Sequence, residues 1–153
     1  MVKQTMDARD TINQVLVRLF RRINDLEEQA ICQDKFKNIT LNEVHVIEAI
    51  GEDGDKNMTA VAKALDVTTG TLTISVNSLV RKGLVKRVRS EEDRRVVLIS
   101  LTDLGREIDR RHVDFHRKMI DEIIGGLSEE EVGVLTEMLG RLNDFFMTEG
   151  YNE

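Results

Sequence analysis

A mainly α fold, built on a winged helix-turn-helix with a two-stranded β wing and a helical dimerisation region, is predicted by three observations. Within Met58–Leu101, two short amphipathic helical patterns are joined at Asp66-Val67-Thr68. A basic stretch, a charged turn and an apolar stretch follow them directly. Apolar stripes of helical period lie on both sides of this unit, in a chain without proline. Together these are the marks of two short helices, a β-hairpin and flanking long helices.

In chain order, residues 1–7 read as a frayed terminus. From Ala8 to about Ile31, Ile12, Val15, Leu16, Leu19, Phe20, Ile23, Leu26 and Ala30 keep a helical period. That stripe is broad, which suits contact with both its own domain and a second chain. Gln33–Ile39 is a connection. Thr40 with Glu43 makes a capping box and starts a helix through about Ile50. Gly51–Asn57 reads as a polar loop. In the first short helix, Val61, Ala62 and Leu65 share one side. In the second, Leu72, Val76, Leu79 and Val80 recur at i, i+4, i+7 and i+8. Gly83 ends that helix, because glycine accepts the left-handed conformation past a C-terminus. Strands ending near Arg89 and starting near Val96 enclose the turn Ser90–Arg94. Thr102 can cap a long helix from Asp103 to about Ile124, with Leu104, Ile108, His112, Phe115, Met119 and Ile123 along its stripe. Gly125-Gly126 ends it. Ser128 with Glu131 is a second capping box. The last helix carries Val132, Leu135, Met138, Leu139, Leu142, Phe145 and Phe146.

Residues 1–153 therefore read as a single chain unit, with 40–101 as the DNA-binding part and 8–33 and 103–148 as dimerisation helices. The surplus apolar faces of the first and last helices are explained by a partner copy. No apolar run nears the ~20 residues of a membrane span, and no secretory signal opens the chain, so a cytoplasmic protein is expected. The single cysteine, Cys32, excludes an internal disulfide and fits a reducing compartment. Aromatic residues make up only 4% of the chain, too few for a base-stacking platform. No Gly-rich phosphate loop, nucleophile elbow or carboxylate pair in a recognisable setting supports an enzyme.

Charge placement points to double-stranded DNA. Arg81–Arg95 holds Arg81, Lys82, Lys86, Arg87, Arg89, Arg94 and Arg95 against Glu91, Glu92 and Asp93, a surplus of four positive charges. The whole chain is at −6, so the remainder carries ten net negative charges. A basic focus on an acidic body is the footprint of phosphate binding. The second short helix would enter the major groove, with Thr69, Thr71, Thr73 and Asn77 at bases or nearby phosphates. Thr68, Ser75 and Ser78 are weaker candidates. No Arg or Gln lies among these outward positions, so guanine readout from this helix looks poor. Arg81, Lys86 and Arg87 are phosphate candidates, which position rather than specify. Asp93 and Arg95 can pair and stiffen the wing turn.

A second constellation is histidine. His112 and His116 are four apart and share a helix face, where neutral imidazoles can clamp a metal. His45 is the third, and Glu27 would supply a carboxylate if the first helix crosses there.

The segment LVKRVRSEEDRRVVLISLTDLG resembles the wing of the MarR family of bacterial winged-helix regulators. Its Asp93–Arg95 pattern, followed by an apolar strand and Leu101-Thr102, carries the likeness, and flanking helices extend it over nearly the whole chain. The resemblance implies a homodimer that binds pseudo-palindromic DNA and usually represses transcription. It also implies that a wing arginine reaches the minor groove: Arg95, with Arg94 as the neighbouring option. The family's zinc-uptake repressors place a glutamate and three histidines at positions matching Glu27, His45, His112 and His116. Those repressors have a second ligand group, and Cys32 is shifted by one from its thiolate. Nothing cationic directly flanks Cys32 to make it a peroxide sensor, so it reads as a small apolar residue.

Three segments, FKNITLNEVHVIEAIG, TTGTLTISVNSLVRKGLVKRVRSEEDRRVV and FHRKMIDEIIGGLSEEE, look most like the fatty-acid-synthesis repressor (FabT-like) branch. That branch implies control of fatty acid biosynthesis genes, with a long acyl chain on acyl carrier protein as co-repressor. Phe20, Ile23, Val44, Ile47, Phe115 and Met119 would then line an apolar slot for it, or else simply fill the core. No cofactor is required on this reading. The alternatives are a zinc-responsive repressor of metal-uptake genes and an architectural DNA-binding dimer without an effector.

Overall fold

The computed structural model describes residues 7–93 and 96–148. Arg94 and Arg95, on which the minor-groove expectation falls, and the arginine half of the Asp93–Arg95 pair lie outside the described residues. The chain divides into two compact units, Met1–Phe115 and His116–Glu153.

Helix α1 runs Ala8–Ile31, and a single 3-10 turn, Asp34–Phe36, follows it. Helix α2, Leu41–Ile50, starts at a complete capping box: Thr40 accepts from the Glu43 N–H, and the Glu43 carboxylate accepts from the Thr40 N–H. Gly51, at φ +65°, ends it in a conformation that glycine tolerates. Strand β1, Lys56–Asn57, then leads into α3, Met58–Ala64, whose N-cap is Asn57. The expected polar loop thus ends in a two-residue strand. Helix α4 spans Thr69–Arg81 and is capped by Thr68, whose hydroxyl oxygen accepts from the Thr71 N–H at 3.1 Å.

The wing consists of β2, Val85–Arg89, and β3, Val97–Leu101. They pair antiparallel from Val85↔Leu101 to Arg89↔Val97. On its other edge β3 pairs with β1 through Lys56↔Ile99 and Asn57↔Leu98, giving the order β1-β3-β2. The expected two-stranded wing is therefore the outer part of a three-stranded sheet. At the turn, the Ser90 N–H donates to the Val96 carbonyl and the Val96 N–H to the Asp93 carbonyl.

Helix α5, Asp103–Gly125, begins in the first unit and ends in the second. Thr102 caps it, accepting from the Gly105 N–H while donating to the Gly83 carbonyl. Helix α6, Glu129–Thr148, starts at the Ser128–Glu131 capping box.

The core of the first unit is closed around Ile47, Ile50, Leu72, Val76, Leu79, Leu84, Ile99 and Ile108, each at most 1% exposed. Leu72, Val76 and Leu79 are the apolar face of α4, so burying that face turns the polar face outward. Ile12, Val15, Leu19 and Phe20 of α1 remain exposed. In the second unit, α6 buries no residue, and Val134, Met138, Leu139, Phe145 and Phe146 are exposed.

Candidate nucleic-acid interface

The outward face of α4 follows from its period. Thr69, Thr71 and Asn77 are exposed, while Thr73 and Ser75 are half-buried. The Thr73 hydroxyl donates to the Thr69 carbonyl at 2.7 Å, which steadies the first turn. The Thr68 and Thr71 hydroxyls lie 2.9 Å apart. Short side chains thus present hydroxyls at the N-terminal end of α4, where a recognition helix meets base edges.

Ser78 faces elsewhere than expected. Its hydroxyl donates to Glu43 Oε1 at 2.7 Å, within a partly buried network. Lys82 Nζ reaches both Glu43 oxygens, at 2.8 and 2.6 Å, and the Asn38 carbonyl at 2.6 Å. Burial pushes the Glu43 carboxyl up, but the Lys82 ammonium, the Thr40 N–H and the Ser78 hydroxyl outweigh it, so its pKa is lowered. Because Ser78 and Lys82 are one turn apart on α4, this network fixes the angle of that helix against α2. Helical period alone missed it, since the position of residue 78 lies at the edge of the buried stripe.

Sequence reasoning also missed Ile74. It is 73% exposed on α4, on the side away from the core. Its register, two residues from both Leu72 and Val76, was the available signal: a residue two positions from a buried one points away from it. An exposed isoleucine among threonines is suited to a thymine methyl.

Arg81, Lys86, Arg87 and Arg89 are all exposed around the α4–β2 junction. Arg87 Nη2 donates to Asn77 Oδ1 at 2.7 Å, tying the wing strand to the outward face of α4. The Ser90 hydroxyl oxygen accepts from the Glu92 and Asp93 N–H groups, at 3.2 and 3.4 Å, at the start of the wing turn.

The histidine constellation assembles in part. Glu27, His45 and His112 bring one ligand atom each to within 4.8 Å of one another. His112 Nε2 lies 2.7 Å and His45 Nε2 3.5 Å from Glu27 Oε1. Glu27 and His112 are 2% and 3% exposed, whereas His45 reaches the surface. Glu48 lies 4.0 Å from His112 Nδ1. Two imidazoles and a carboxylate fit zinc with one position open. His116 belongs to the second unit, one turn farther along α5. Burial and then Glu28, Glu27 and Glu43 push the Cys32 thiol up, which disfavours a reactive thiolate.

Of the residues assigned to an apolar slot, Val44 and Ile47 are sealed in the core. Phe20 is 64% exposed, Ile23 and Phe115 are half-buried, and Met119 lies in the second unit. A cavity of about 290 Å³ lies elsewhere, lined by His45 and Val46 of α2 and by Thr71, Leu72 and Ser75 of α4.

A buried-faced recognition helix, a basic wing and long flanking helices define a winged-helix DNA-binding protein. Residues 30–111 match the family described as Transcriptional regulator SarA/Rot. The HTH-type transcriptional regulator MhqR of Bacillus subtilis (strain 168) is 34% identical over 128 residues, covering 84% of this chain and 86% of the relative. A crystal structure of Streptococcus pneumoniae FabT in complex with DNA superposes with a TM-score of 0.84 at 43% identity, covering 90% of this chain and 96% of that one. The reduced form of MarR from E. coli gives a TM-score of 0.60 at 26% identity, over 83% and 95% of the two chains. The chain belongs to the MarR family of winged-helix DNA-binding transcriptional regulators. The family is one of regulators, not of enzymes. Among the described residues, no helix is long and apolar enough to cross a membrane.

Proposed function

We propose that this chain is a cytoplasmic repressor that binds a pseudo-palindromic operator as a homodimer. In this reading Thr68, Thr69, Thr71, Thr73, Ile74, Ser75 and Asn77 meet the major groove. Arg81 and Lys86 neutralise phosphates, Asp93 stiffens the wing turn, and Arg94 and Arg95 serve the minor groove. The exposed apolar faces of α1 and α6 form the dimer interface, since faces of that extent are seldom left to water. The genes controlled are those of fatty acid biosynthesis, and the co-repressor is a long acyl chain on acyl carrier protein. The observation that carries this reading is the likeness to the DNA-bound FabT structure over nine-tenths of the chain.

A co-repressor acts only through better affinity for the DNA-competent form. Titration of labelled operator with long-chain acyl carrier protein should tighten binding roughly 5- to 150-fold, and the unacylated carrier should not. An unchanged dissociation constant with both carriers discards the acyl effector. Val44→Trp would be a poor probe of the slot, because Val44 is sealed in the core and the larger ring would disturb folding first.

The Glu27–His45–His112 cluster favours a second reading, a zinc-responsive repressor. These side chains would hold the ion, and the ion would cross-link α1, α2 and α5 when bound. The wild type should then carry one zinc per chain and His45→Ala none. Equal zinc in both returns the cluster to a structural role.

A further inference from the structure

The bond between Asn77 and Arg87 determines which way the Asn77 amide faces. A guanidinium has five N–H donors and no acceptor, so only the carbonyl end of an asparagine can meet it. At 2.7 Å, Arg87 Nη2 therefore holds Asn77 Oδ1, and the Asn77 NH₂ is turned to the other side. Both residues are exposed, and Asn77 lies on the outward face of α4.

This orientation alters what Asn77 can read. An asparagine recognises adenine with both ends of its amide, accepting from N6 and donating to N7. With one lone pair of Oδ1 taken by Arg87, the pair presents mostly donors: the Asn77 NH₂ and the N–H groups of Arg87 not used within the pair. Guanine presents two acceptors, N7 and O6, on its major-groove edge. Adenine would set its own N6 donor against the N–H groups of that surface, which disfavours it relative to guanine. From sequence, α4 lacked any residue suited to guanine. The wing strand supplies one, because β2 turns back beside α4 and brings a residue ten positions away against Asn77.

We infer that Asn77 and Arg87 act as one guanine-reading unit, and that Arg87 specifies sequence as well as contacting DNA. The inference rests on α4 occupying the major groove. It deepens the proposed function by naming the base that the helix selects.

The test uses a duplex that the wild type retains from a random-sequence pool, with each G·C pair of its half-site exchanged for A·T in turn. At one position per half-site, the exchange should cost the wild type roughly 5- to 150-fold in affinity. Arg87→Ala should abolish that preference or turn it toward adenine, since the freed Asn77 amide can then use both ends. Arg87→Lys keeps the charge without the planar fork, and should narrow the preference. Asn77→Ala should narrow it too, and thermal unfolding of each variant establishes that it folds. A uniform loss by Arg87→Ala on every duplex, with the salt dependence flattened by about one unit, is the behaviour of a phosphate contact and overturns the inference. Full guanine preference in Arg87→Lys overturns it as well. A wild type that retains no common sequence overturns both this inference and the placement of α4 in the groove.

Discussion

Glu43 is a carboxylate taken almost wholly out of water, and it keeps its charge because Lys82, Thr40 and Ser78 all donate to it. Its pKa is lowered in the folded chain, so the unfolded chain binds the proton first as pH falls. The stabilisation is present in full above the ordinary glutamate value and is lost as pH drops through the lower folded value. Urea unfolding followed from about pH 6 to about pH 3 should show Glu43→Gln losing less stability on acidification than the wild type. Parallel acid limbs would mean that Glu43 is not the group responsible. Lys82→Ala should cost about 1.5–3 kcal/mol, the range for a hydrogen bond to a charged partner. The capping half of this network was legible, because Thr40 and Glu43 are three residues apart. The Lys82 half was not, because it spans 39 residues and only folding brings it together. Ile74 allows a finer test. Replacing thymine by uracil removes one methyl, and at the base facing Ile74 this should cost about 0.8 kcal/mol. Ile74→Ala should be indifferent to the exchange; an equal response in both proteins removes Ile74 from the interface.

At the scale of elements, the start of α5 packs closely against the backbone that leads into β2. A Cβ added to Gly105 would stand 2.1 Å from the Leu84 carbonyl oxygen, against backbone that cannot swing aside. Alanine normally improves a helix interior by up to about 1 kcal/mol over glycine. Here the sign should reverse: Gly105→Ala should destabilise by about 1–3 kcal/mol, read as a fall in melting temperature. A variant that melts as high as the wild type would show that α5 and the Leu84 backbone can part at no cost. Helices were legible element by element, since their stripes and caps are local signals. Strand β1 was not, because two residues are too few to show a period and its pairing partners on β3, Ile99 for Lys56 and Leu98 for Asn57, lie far along the chain. The same distance argument applies to Glu27 and His112, whose meeting the sequence offered only on condition that α1 crosses there, or through a family likeness.

At the scale of the molecule, charge and apolar surface divide the labour. Among the described residues, the exposed cations Arg81, Lys86, Arg87 and Arg89 sit on the end of α4 and the wing, while α1 and α6 carry exposed apolar residues. Lys86→Ala should weaken binding to all duplexes about equally and reduce the salt slope by roughly one unit, as removal of one phosphate contact does. The central claim is that two copies of α4, held on one dimer, read two half-sites. Footprinting on the retained duplex, with the mass of the complex measured alongside, tests it most directly. The expected result is two protected half-sites centred about 34 Å apart, one helical turn, under a protein mass of twice 17.5 kDa. A single protected half-site under one 17.5 kDa chain, bound as tightly as the full palindrome, would contradict it.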